Sequence, residues 1–238
     1  MSTALLAWHG WGFGPAAFDP LRTALAGHCA MAAPTLLGPA DGVLGTWADS
    51  LAASVAPDQV LLGWSLGAML AMSACLRGAR PRALVLISGS ARFSATAQWP
   101  HALAAETVAA FQHGLAQNPA RTLQRFLALQ ALGDARRAAV LTALEPAREH
   151  QAAALAPALD ALVGADLRDQ VGKIGLPCLI IHGAQDALMP LAGAQWLATQ
   201  MPQATLKTLE NCGHAPHVSA PAEVAKAITD FIASLPDA

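Results

Sequence analysis

Short apolar runs recur along the chain and alternate with longer stretches of helical character. Six of these runs read as strands, and because they are mostly apolar we expect each to be buried on both faces of a sheet. They are Ala4–Trp8, Cys29–Ala33, Val60–Leu62, Ala83–Ser88, Cys178–His182 and Ala204–Leu209. Helical patterns lie between them, at Ala16–Ala26, Thr46–Ala56, Leu66–Arg77, Leu191–Gln200 and Pro221–Leu235. This alternation predicts an α/β fold with a mostly parallel sheet flanked by helices.

One long stretch, residues 91–172, breaks the alternation. It contains no convincing strand pattern and is rich in Ala, Leu, Gln and Arg, which predicts three or four helices between two strands of the sheet. An insertion that carries its own helices and returns to the sheet is typical of a cap over a functional site. We therefore expect a core formed by residues 1–90 and 173–238, with residues 91–172 as a helical cap.

The composition narrows the class of protein. The chain has 238 residues, of which 54% are hydrophobic and 13% charged, and this balance excludes an intrinsically disordered chain. With a net charge of -2 there is no basic excess that would favour nucleic-acid binding, and no apolar run is long enough to span a membrane. The N-terminus lacks the pattern of a signal peptide, and the four cysteines are widely separated with no CxxC pair. We expect a cytoplasmic protein with reduced thiols and no metal.

The most specific chemical signal is GWSLG at positions 63–67, a G-x-S-x-G pattern. It follows the apolar run Val60–Leu62 directly and precedes a helical pattern directly, which is the strand–turn–helix context of a nucleophile elbow. The sharp turn needs small residues at positions 63 and 67, two residues before and after Ser65. It also points the hydroxyl into a cleft at the N-terminus of a helix, where negative charge is stabilised.

A serine hydroxyl needs a base, and the base needs a third group that orients it. In this architecture the acid follows the serine and the histidine comes last. Asp186 follows the strand Cys178–His182, and His214 follows the strand that ends at Leu209, so both lie where parallel strands end. The sequence predicts a catalytic triad of Ser65, Asp186 and His214.

Other ionisable residues compete for these roles. His217 is the rival for the base, but Gly213 before His214 permits a closer approach. His182, at the end of a strand and before a glycine, reads as structural. Three further acids read as solvated or capping residues of the insertion and its exit: Asp160, Asp166 and Asp169.

The oxyanion that forms when a serine attacks an acyl carbon needs two N–H donors. In a nucleophile elbow one donor is the amide after the serine, here Leu66. The second comes from the loop after the first strand, here HGWGFG at 9–14, and we assign it to the amide of Trp11. The glycine spacing in this loop differs from the G-x-G-x-x-G of dinucleotide binding, so we expect no cofactor.

Taken together, these motifs resemble those of the α/β-hydrolase superfamily over essentially the whole chain. HGWG, GWSLG, a helical insertion, GAQDALMP and GHAP follow one another in the expected order. Within the superfamily the sequence looks most like the pimeloyl-acyl-carrier-protein methyl ester esterases of biotin synthesis. HGWG, GWSL and RTLQRFLALQ at 121–130 carry this closer resemblance, and the FLALQ block is its most particular part.

The resemblance implies an α/β-hydrolase fold with about six strands and a helical cap, and it assigns further roles. It places Trp11 and Leu66 on either side of the substrate acyl group, and it implies that the FLALQ block lines the acyl pocket. The residues of that block are Phe126, Leu127, Ala128, Leu129 and Gln130. Cap packing is the alternative role for at least one of them.

Acyl carrier protein is the partner that the resemblance implies, and it is acidic. Between positions 121 and 148 the chain carries five arginines against only Asp134 and Glu145. Arg121 and Arg125 lie four residues apart and would share one face of a helix. The candidate contacts with the carrier are Arg121, Arg125, Arg136 and Arg137. An ordinary solvated helix face is the alternative.

The sequence departs from the family pattern in two places. It begins almost at the first central strand, so we expect the opening hairpin of the fold to be absent, and APTLLGPADG at 33–42 replaces the usual glycine-rich turn after the second strand. Neither change touches the triad. The function predicted is a serine carboxylesterase acting on the methyl ester of a carrier-bound acyl chain. The alternatives are a broad short-chain esterase or thioesterase, and a small-molecule receptor without turnover on the same fold.

Overall fold

The computed structural model of the chain describes residues 3–149 and 152–236, so the outer bounds predicted for the core, residues 1 and 238, lie outside the described residues. Six strands in the described part form one sheet, and all neighbouring strands run parallel. The strands are β1 Ala4–Trp8, β2 Ala30–Ala32, β3 Val60–Trp64, β4 Ala83–Ile87, β5 Cys178–Gly183 and β6 Ala204–Leu209. Their order in space is β2-β1-β3-β4-β5-β6, which confirms the predicted sheet.

Burial differs between the centre of the sheet and its edges. The residues of β3, β4 and β5 are all buried, because helices cover both faces of the sheet centre. The prediction that every strand is buried on both faces is wrong for β2 and β6. In β6 the exposed residues Thr205 and Lys207 alternate with less exposed ones, as expected for a strand at the edge of the sheet.

Ten helices occur in the described residues. They are α1 Asp19–Ala24, α2 Leu44–Ala52, α3 Leu66–Leu76, α4 Ala105–Gln117, α5 Pro119–Gln130, α6 Arg137–Leu144, α7 Ala152–Gly164, α8 Leu191–Gln200, α9 Pro216–Ser219 and α10 Pro221–Ser234. The helix predicted at Ala16–Ala26 is divided into a 3₁₀ turn, Pro15–Phe18, and α1. Pro20 lies in the first turn of α1, where its missing N–H has no partner to lose, so the chain starts a new helix there.

The segment between β4 and β5 contains four of these helices, α4 to α7. Helix α4 packs against α5 and α7, while α7 reaches α2 and α6 reaches α9. The two ends of the segment are tied together at its base, where the N–H of Leu167 donates to the carbonyl of Ala91 over 2.9 Å. The helices therefore return to the sheet close to the point where they left it.

Asp166 stabilises the same base, and its role differs from the solvated or capping role predicted for it. It pairs with Arg92 over 2.5 Å and with Arg168 over 2.7 Å. The hydrogen bonds from Arg168, together with those from Arg92, hold the pKa of the carboxyl well below its ordinary value, although partial burial opposes this. Asp166 thus links the start of the segment to its end.

Candidate active site

Ser65 lies at the turn between β3 and α3, at the carboxyl end of the central strand of the sheet. Its φ of 57° places it in a backbone conformation that residues other than glycine rarely adopt. The N–H of Ser65 donates to the carbonyl of Ile87 on the adjacent strand over 2.9 Å. Packing of β3 and α3 on each side holds the strained turn in place.

Gly63 and Gly67 explain why the pattern requires small residues here. A Cβ atom on Gly67 would lie 2.0 Å from the carbonyl oxygen of Trp8, and one on Gly63 would lie 2.3 Å from the carbonyl oxygen of Gly67. Both neighbours are backbone atoms that cannot move aside. Helix α3 therefore approaches β1 and β3 closely, and this close packing sets the position of Ser65.

His214 is within hydrogen-bond distance of both other members of the predicted triad. Its Nε2 atom lies 2.9 Å from Oγ of Ser65, and its Nδ1 atom lies 2.7 Å from Oδ2 of Asp186. All three side chains are buried, with Ser65 only 5% exposed. The structure thus brings Ser65, His214 and Asp186 together, although they are separated by up to 149 positions in the chain.

Asp186 is held from several sides. Its Oδ1 atom accepts hydrogen bonds from the N–H groups of Leu188 and Met189, each over 2.9 Å. Burial would raise the pKa of this carboxyl, but the proximity of His214 and hydrogen bonds from His182 and His214 outweigh burial and lower it. Asp186 is therefore ionised and oriented towards Nδ1 of His214.

His182 is a second imidazole on the same carboxylate. Its Nε2 atom lies 3.2 Å from Oδ2 of Asp186 and 2.6 Å from the carbonyl oxygen of Met189. Both neighbours are acceptors, so Nε2 carries the proton. His182 therefore contacts Asp186 directly, and this contact is compatible with the structural role that the sequence suggested.

His217, the rival base, lies away from Ser65 in an apolar environment. Its ring contacts Trp64, with centroids 4.5 Å apart, and Phe18, with centroids 5.4 Å apart. Within the described residues neither ring nitrogen forms a hydrogen bond of good geometry, although a contact with the backbone of Ala17 acts to raise the pKa of the ring. Burial, and then the proximity of His214, lowers the pKa of His217 to about 3, so its ring is neutral.

The loop after β1 runs alongside Ser65. A Cβ atom on Gly10 would lie 3.2 Å from Cβ of Ser65, and Gly12 has a φ of 77°, so both positions favour glycine. The N–H of Leu66, the first residue of α3, has no acceptor within its own helix. Trp11 is anchored by its indole N–H, which donates to the carbonyl of Leu155 in α7 over 2.8 Å.

Aromatic rings connect this loop to the helices of the segment 91–172. Phe126 of α5 packs edge-on against Trp11, with centroids 4.8 Å apart, and it also contacts Phe13 and Phe111. Beside this cluster lies a mainly apolar cavity of about 210 Å³ between α4 and α5. Leu188, two residues after Asp186, lies in its wall, so the cavity reaches the loop that carries the acid.

The residues of the FLALQ block occupy different positions around this cavity. Phe126 and Leu129 line it, together with Arg125. Leu127 is buried and Ala128 is partly exposed, and neither is in the cavity wall. Gln130 is buried, and its backbone carbonyl accepts the N–H of His214 over 3.1 Å.

The four arginines predicted to contact a carrier differ in their surroundings. Arg121 and Arg125 lie exposed on α5, and neither forms an ion pair with a described residue. Arg137 begins α6 and is also exposed. Arg136 donates to the carbonyl of Ser219 over 3.1 Å, so one N–H group of its guanidinium is already used in a hydrogen bond within the protein.

Two buried polar residues near the site were missed by sequence reasoning. His9 accepts the N–H of Leu36 at Nε2 over 3.0 Å, which ties the segment after β2 to the loop that carries Trp11. Asp134 accepts the N–H of Gly213, the residue before His214, over 2.8 Å. No local pattern marks either residue, because their partners are distant in the chain.

Two features are absent from residues 3–149 and 152–236. No cluster of three or more metal-ligating side chains occurs there that could hold an ion. In the same residues, no helix is long and apolar enough to cross a membrane.

Comparison with known proteins places these features among esterases. The model of the alpha/beta hydrolase family matches residues 5–227. The chain is 42% identical to the pimeloyl-[acyl-carrier protein] methyl ester esterase of Aromatoleum aromaticum, across 96% of this chain and 97% of that protein. It is 35% identical to the enzyme of the same name from Xanthomonas campestris pv. campestris, across 98% of this chain and 96% of that protein.

Solved structures resemble the chain in fold. An esterase from Exiguobacterium antarcticum superposes with a TM-score of 0.86 and covers 98% of this chain and 92% of its own. A hydrolase from Oleispira antarctica superposes with a TM-score of 0.82 over 98% of this chain and 92% of its own. The sequence identities are 18% and 16%, so these two likenesses concern the fold alone.

Proposed function

Since this chain belongs to the alpha/beta hydrolase family and, within it, to the pimeloyl-[acyl-carrier protein] methyl ester esterases, we propose that it hydrolyses the methyl ester of a pimeloyl chain carried by acyl carrier protein. The chain is a carboxylic ester hydrolase. The observation that carries the mechanism is the hydrogen-bonded series Ser65–His214–Asp186.

In the first step Oγ of Ser65 attacks the carbonyl carbon of the ester. Nε2 of His214, 2.9 Å away, takes the hydroxyl proton as the new C–O bond forms. The imidazolium that results is stabilised by the carboxylate of Asp186 at Nδ1. Two backbone N–H groups fix Oδ1 of Asp186, so the orienting carboxylate does not rotate during the transfer.

The tetrahedral intermediate carries its negative charge on the former carbonyl oxygen. We assign its two donors to the backbone amides of Leu66 and Trp11. The N–H of Leu66 is at the start of α3, and the Trp11 loop is held beside Ser65 by the close approach of Gly10. Each such donor is worth about 100-fold or more in rate.

The intermediate collapses when the bond to the methoxy oxygen breaks and His214 returns its proton, so that methanol leaves. The acyl group remains bonded to Oγ of Ser65. A water molecule, deprotonated by His214, then attacks the acyl carbon, and the proton returns to Oγ as the free carboxylic acid forms. The reaction needs no redox step and no cofactor.

The described contacts support a role for residues 91–172 as a cap over this site. Phe126, Leu155 and Gln130 of this segment all contact the loops that carry Trp11 or His214. Phe126 and Leu129 line a cavity of about 210 Å³ that suits a short acyl chain. We propose that this cavity holds part of the pimeloyl group and that Trp11 and Leu66 flank the ester.

The exposed face that carries Arg121 and Arg125 supports the choice of a carrier-bound substrate. These two cations lie on the same helix as the cavity residues Phe126 and Leu129, so a carrier docked there would deliver its acyl chain locally. An acidic carrier gains most from such cations during encounter. The proposed docking face also includes Arg137 and Arg136, although Arg136 already donates one hydrogen bond within the protein.

The decisive experiment compares hydrolysis of pimeloyl methyl ester on acyl carrier protein with hydrolysis of the same ester free in solution. We expect kcat/KM to be much higher for the carrier-bound ester. Reversing charge at Arg121 and Arg137, two exposed cations of the docking face that do not line the cavity, should lower kcat/KM for the carrier-bound ester by about tenfold or more and leave the free ester unaffected.

A matched control reverses two exposed cations of the core, Lys173 and Lys207, and thereby produces the same change in net charge. This control should behave like the wild type with both substrates. Equal or better turnover of free esters by the wild type would contradict the proposed substrate and leave a broad carboxylesterase. Acylation of Ser65 without release of product would instead indicate a receptor.

A further inference from the structure

The turn between α5 and α6, residues 130–136, lies directly against the loop that carries His214, residues 211–214. The carbonyl of Gln130 accepts the N–H of His214 over 3.1 Å, and the N–H of Ala135 donates to the carbonyl of Asn211 over 3.1 Å. A Cβ atom on Gly213 would lie 3.2 Å from the carbonyl oxygens of both Gln130 and Leu132. The two backbones are thus in contact along this loop.

Asp134 connects these two segments through its side chain. Oδ2 accepts the N–H of Gly213 over 2.8 Å, and Oδ1 accepts the hydroxyl of Ser219 over 2.8 Å. Oδ1 also accepts the N–H of Arg136 over 2.7 Å. The residue is 7% exposed, so three short hydrogen bonds replace the water that a buried carboxylate loses.

The same turn also touches the loop that carries the acid. A Cβ atom on Gly133 would lie 2.9 Å from the carbonyl oxygen of Gln185, the residue before Asp186. One turn of the inserted segment therefore contacts the residue before the acid and the residue before the base. The position of His214 therefore depends on the inserted segment as well as on the core.

We propose that Asp134 is a positioning residue that fixes the loop of His214 against the cap, so that Nε2 stays aligned with Oγ of Ser65. The proposal rests on the assignment of His214 as the base in the proposed function. Asp134 does not touch the reacting atoms. It acts through the backbone at Gly213, and a displacement there of about 1 Å would be enough to lower the rate about 100-fold.

The test uses p-nitrophenyl acetate, a small free ester that needs neither the acyl cavity nor a carrier. For Asp134→Ala we expect kcat to fall by about 10-fold to 100-fold while KM stays within about twofold of wild type. Asp134→Asn keeps the shape and one acceptor oxygen, so it should retain an intermediate kcat. Ser219→Ala removes one bond to Asp134 and should have a smaller effect than either.

The matched control is Asp160→Asn, which also removes one carboxylate from the inserted segment. Asp160 is exposed, and its carboxylate accepts a hydrogen bond from Gln112 on α4 rather than from the loop of His214. This variant should keep the wild-type kcat. Asp160→Asn and Asp134→Asn each remove one negative charge. A difference in kcat between these two variants therefore reports the contact with Gly213 rather than the loss of charge.

A second readout separates positioning from a general loss of stability. The proton between Nδ1 of His214 and Oδ2 of Asp186 should give a far-downfield ¹H NMR signal in the wild type and in Asp160→Asn. That signal should shift or broaden in folded Asp134→Asn. If Asp134→Ala does not fold, Asp134→Asn supplies both measurements.

The proposal is overturned if folded Asp134 variants keep the wild-type kcat and the wild-type proton signal, whatever their melting temperature. Failure of the proposed function looks different. In that case wild type itself would not prefer the carrier-bound ester, or Ser65→Ala would keep its activity on p-nitrophenyl acetate, and neither result involves Asp134.

Discussion

Two buried histidines, His214 and His217, lie three positions apart and differ in what surrounds their ring nitrogens. Both nitrogens of His214 have polar partners, Ser65 and Asp186. The ring of His217 lies between Trp64 and Phe18, and among the described residues its nitrogens form no hydrogen bond of good geometry. A base must accept and return a proton, and of these two histidines it is His214 that contacts a carboxylate able to stabilise the charged ring.

His217 gives a prediction about stability. Its pKa is about 3 in the folded protein, whereas it is about 6.5 in an unfolded chain, so protonation at acid pH favours unfolding. This contribution to stability is complete above pH 6.5 and is lost progressively as the pH falls from about 6.5 towards 3. His217→Phe has no imidazole at this position, so this pH-dependent contribution to stability is absent from the variant.

Urea denaturation at several pH values would measure the difference. Relative to His217→Phe, the free energy of unfolding of the wild type should fall by up to about 1.4 kcal/mol for each pH unit below about 6. Other titrating groups are common to both proteins and cancel in the comparison. Parallel curves for the two proteins would show that His217 is not held neutral.

Ser65 gives the prediction that bears most directly on the chemistry. Ser65→Ala removes the oxygen that we propose as the nucleophile and leaves no base-activated hydroxyl in its place. Ester hydrolysis should fall by about 1,000-fold or more. The melting temperature should change little, because the packing of β3 against α3 remains. A folded variant with substantial activity would refute the assignment.

At the scale of elements, the turn between β3 and α3 depends on close contact between backbones. Gly67→Ala would place a Cβ atom 2.0 Å from the carbonyl oxygen of Trp8, and neither α3 nor β1 can move away from the buried interface. We expect a loss of about 3 kcal/mol or more in the free energy of unfolding. In Gly175→Ala no atom lies within 4 Å of the new Cβ, so that variant should unfold like the wild type.

Helix α5, which carries the cavity residues and two of the arginines, depends on its N-cap. The side chain of Asn118 accepts the N–H of Arg121 over 3.1 Å, and Pro119 follows it in the first turn. Asn118→Ala should lower the free energy of unfolding by about 1 kcal/mol and the melting temperature by about 2–4 °C. Gln117→Ala, one residue earlier and also exposed, should leave thermal unfolding unchanged, and equal effects would contradict the cap.

At the scale of the whole molecule, charge is distributed unevenly although the net charge is only -2. Between positions 121 and 137 the cationic residues Arg121, Arg125 and Arg137 are exposed, whereas Asp134, the acid of this stretch, is buried. An acidic carrier approaching residues 121–137 would therefore meet mainly positive charge.

Salt dependence tests this distribution. Raising the ionic strength should lower kcat/KM for the carrier-bound ester, because ions screen the attraction during encounter. It should leave kcat/KM for a small neutral ester nearly constant. In Arg121→Glu/Arg125→Glu the carrier-bound ester should lose most of its salt dependence. A salt response that is the same for both substrates would contradict steering by these residues.

The sequence alone determined the sheet and located the helices between its fourth and fifth strands. Apolar runs identify buried strands because a parallel sheet is covered on both faces, and β1, β4 and β5 lie within one residue of where these runs predicted them. GWSLG identifies the elbow because only glycine fits at positions 63 and 67, where backbones come into close contact. Such signals are local, so they can be read from neighbouring positions.

Only the tertiary structure decided which polar residues meet. The roles of Asp134, His9 and His182 depend on partners that no local pattern identifies, and the FLALQ block divides between cavity, packing and a backbone contact to His214. Likewise, the exposure of β2 and β6 follows from their places at the edges of the sheet. The physical reason is the same in each case: a hydrogen bond between distant segments depends on how the elements pack, and packing is a property of the whole fold.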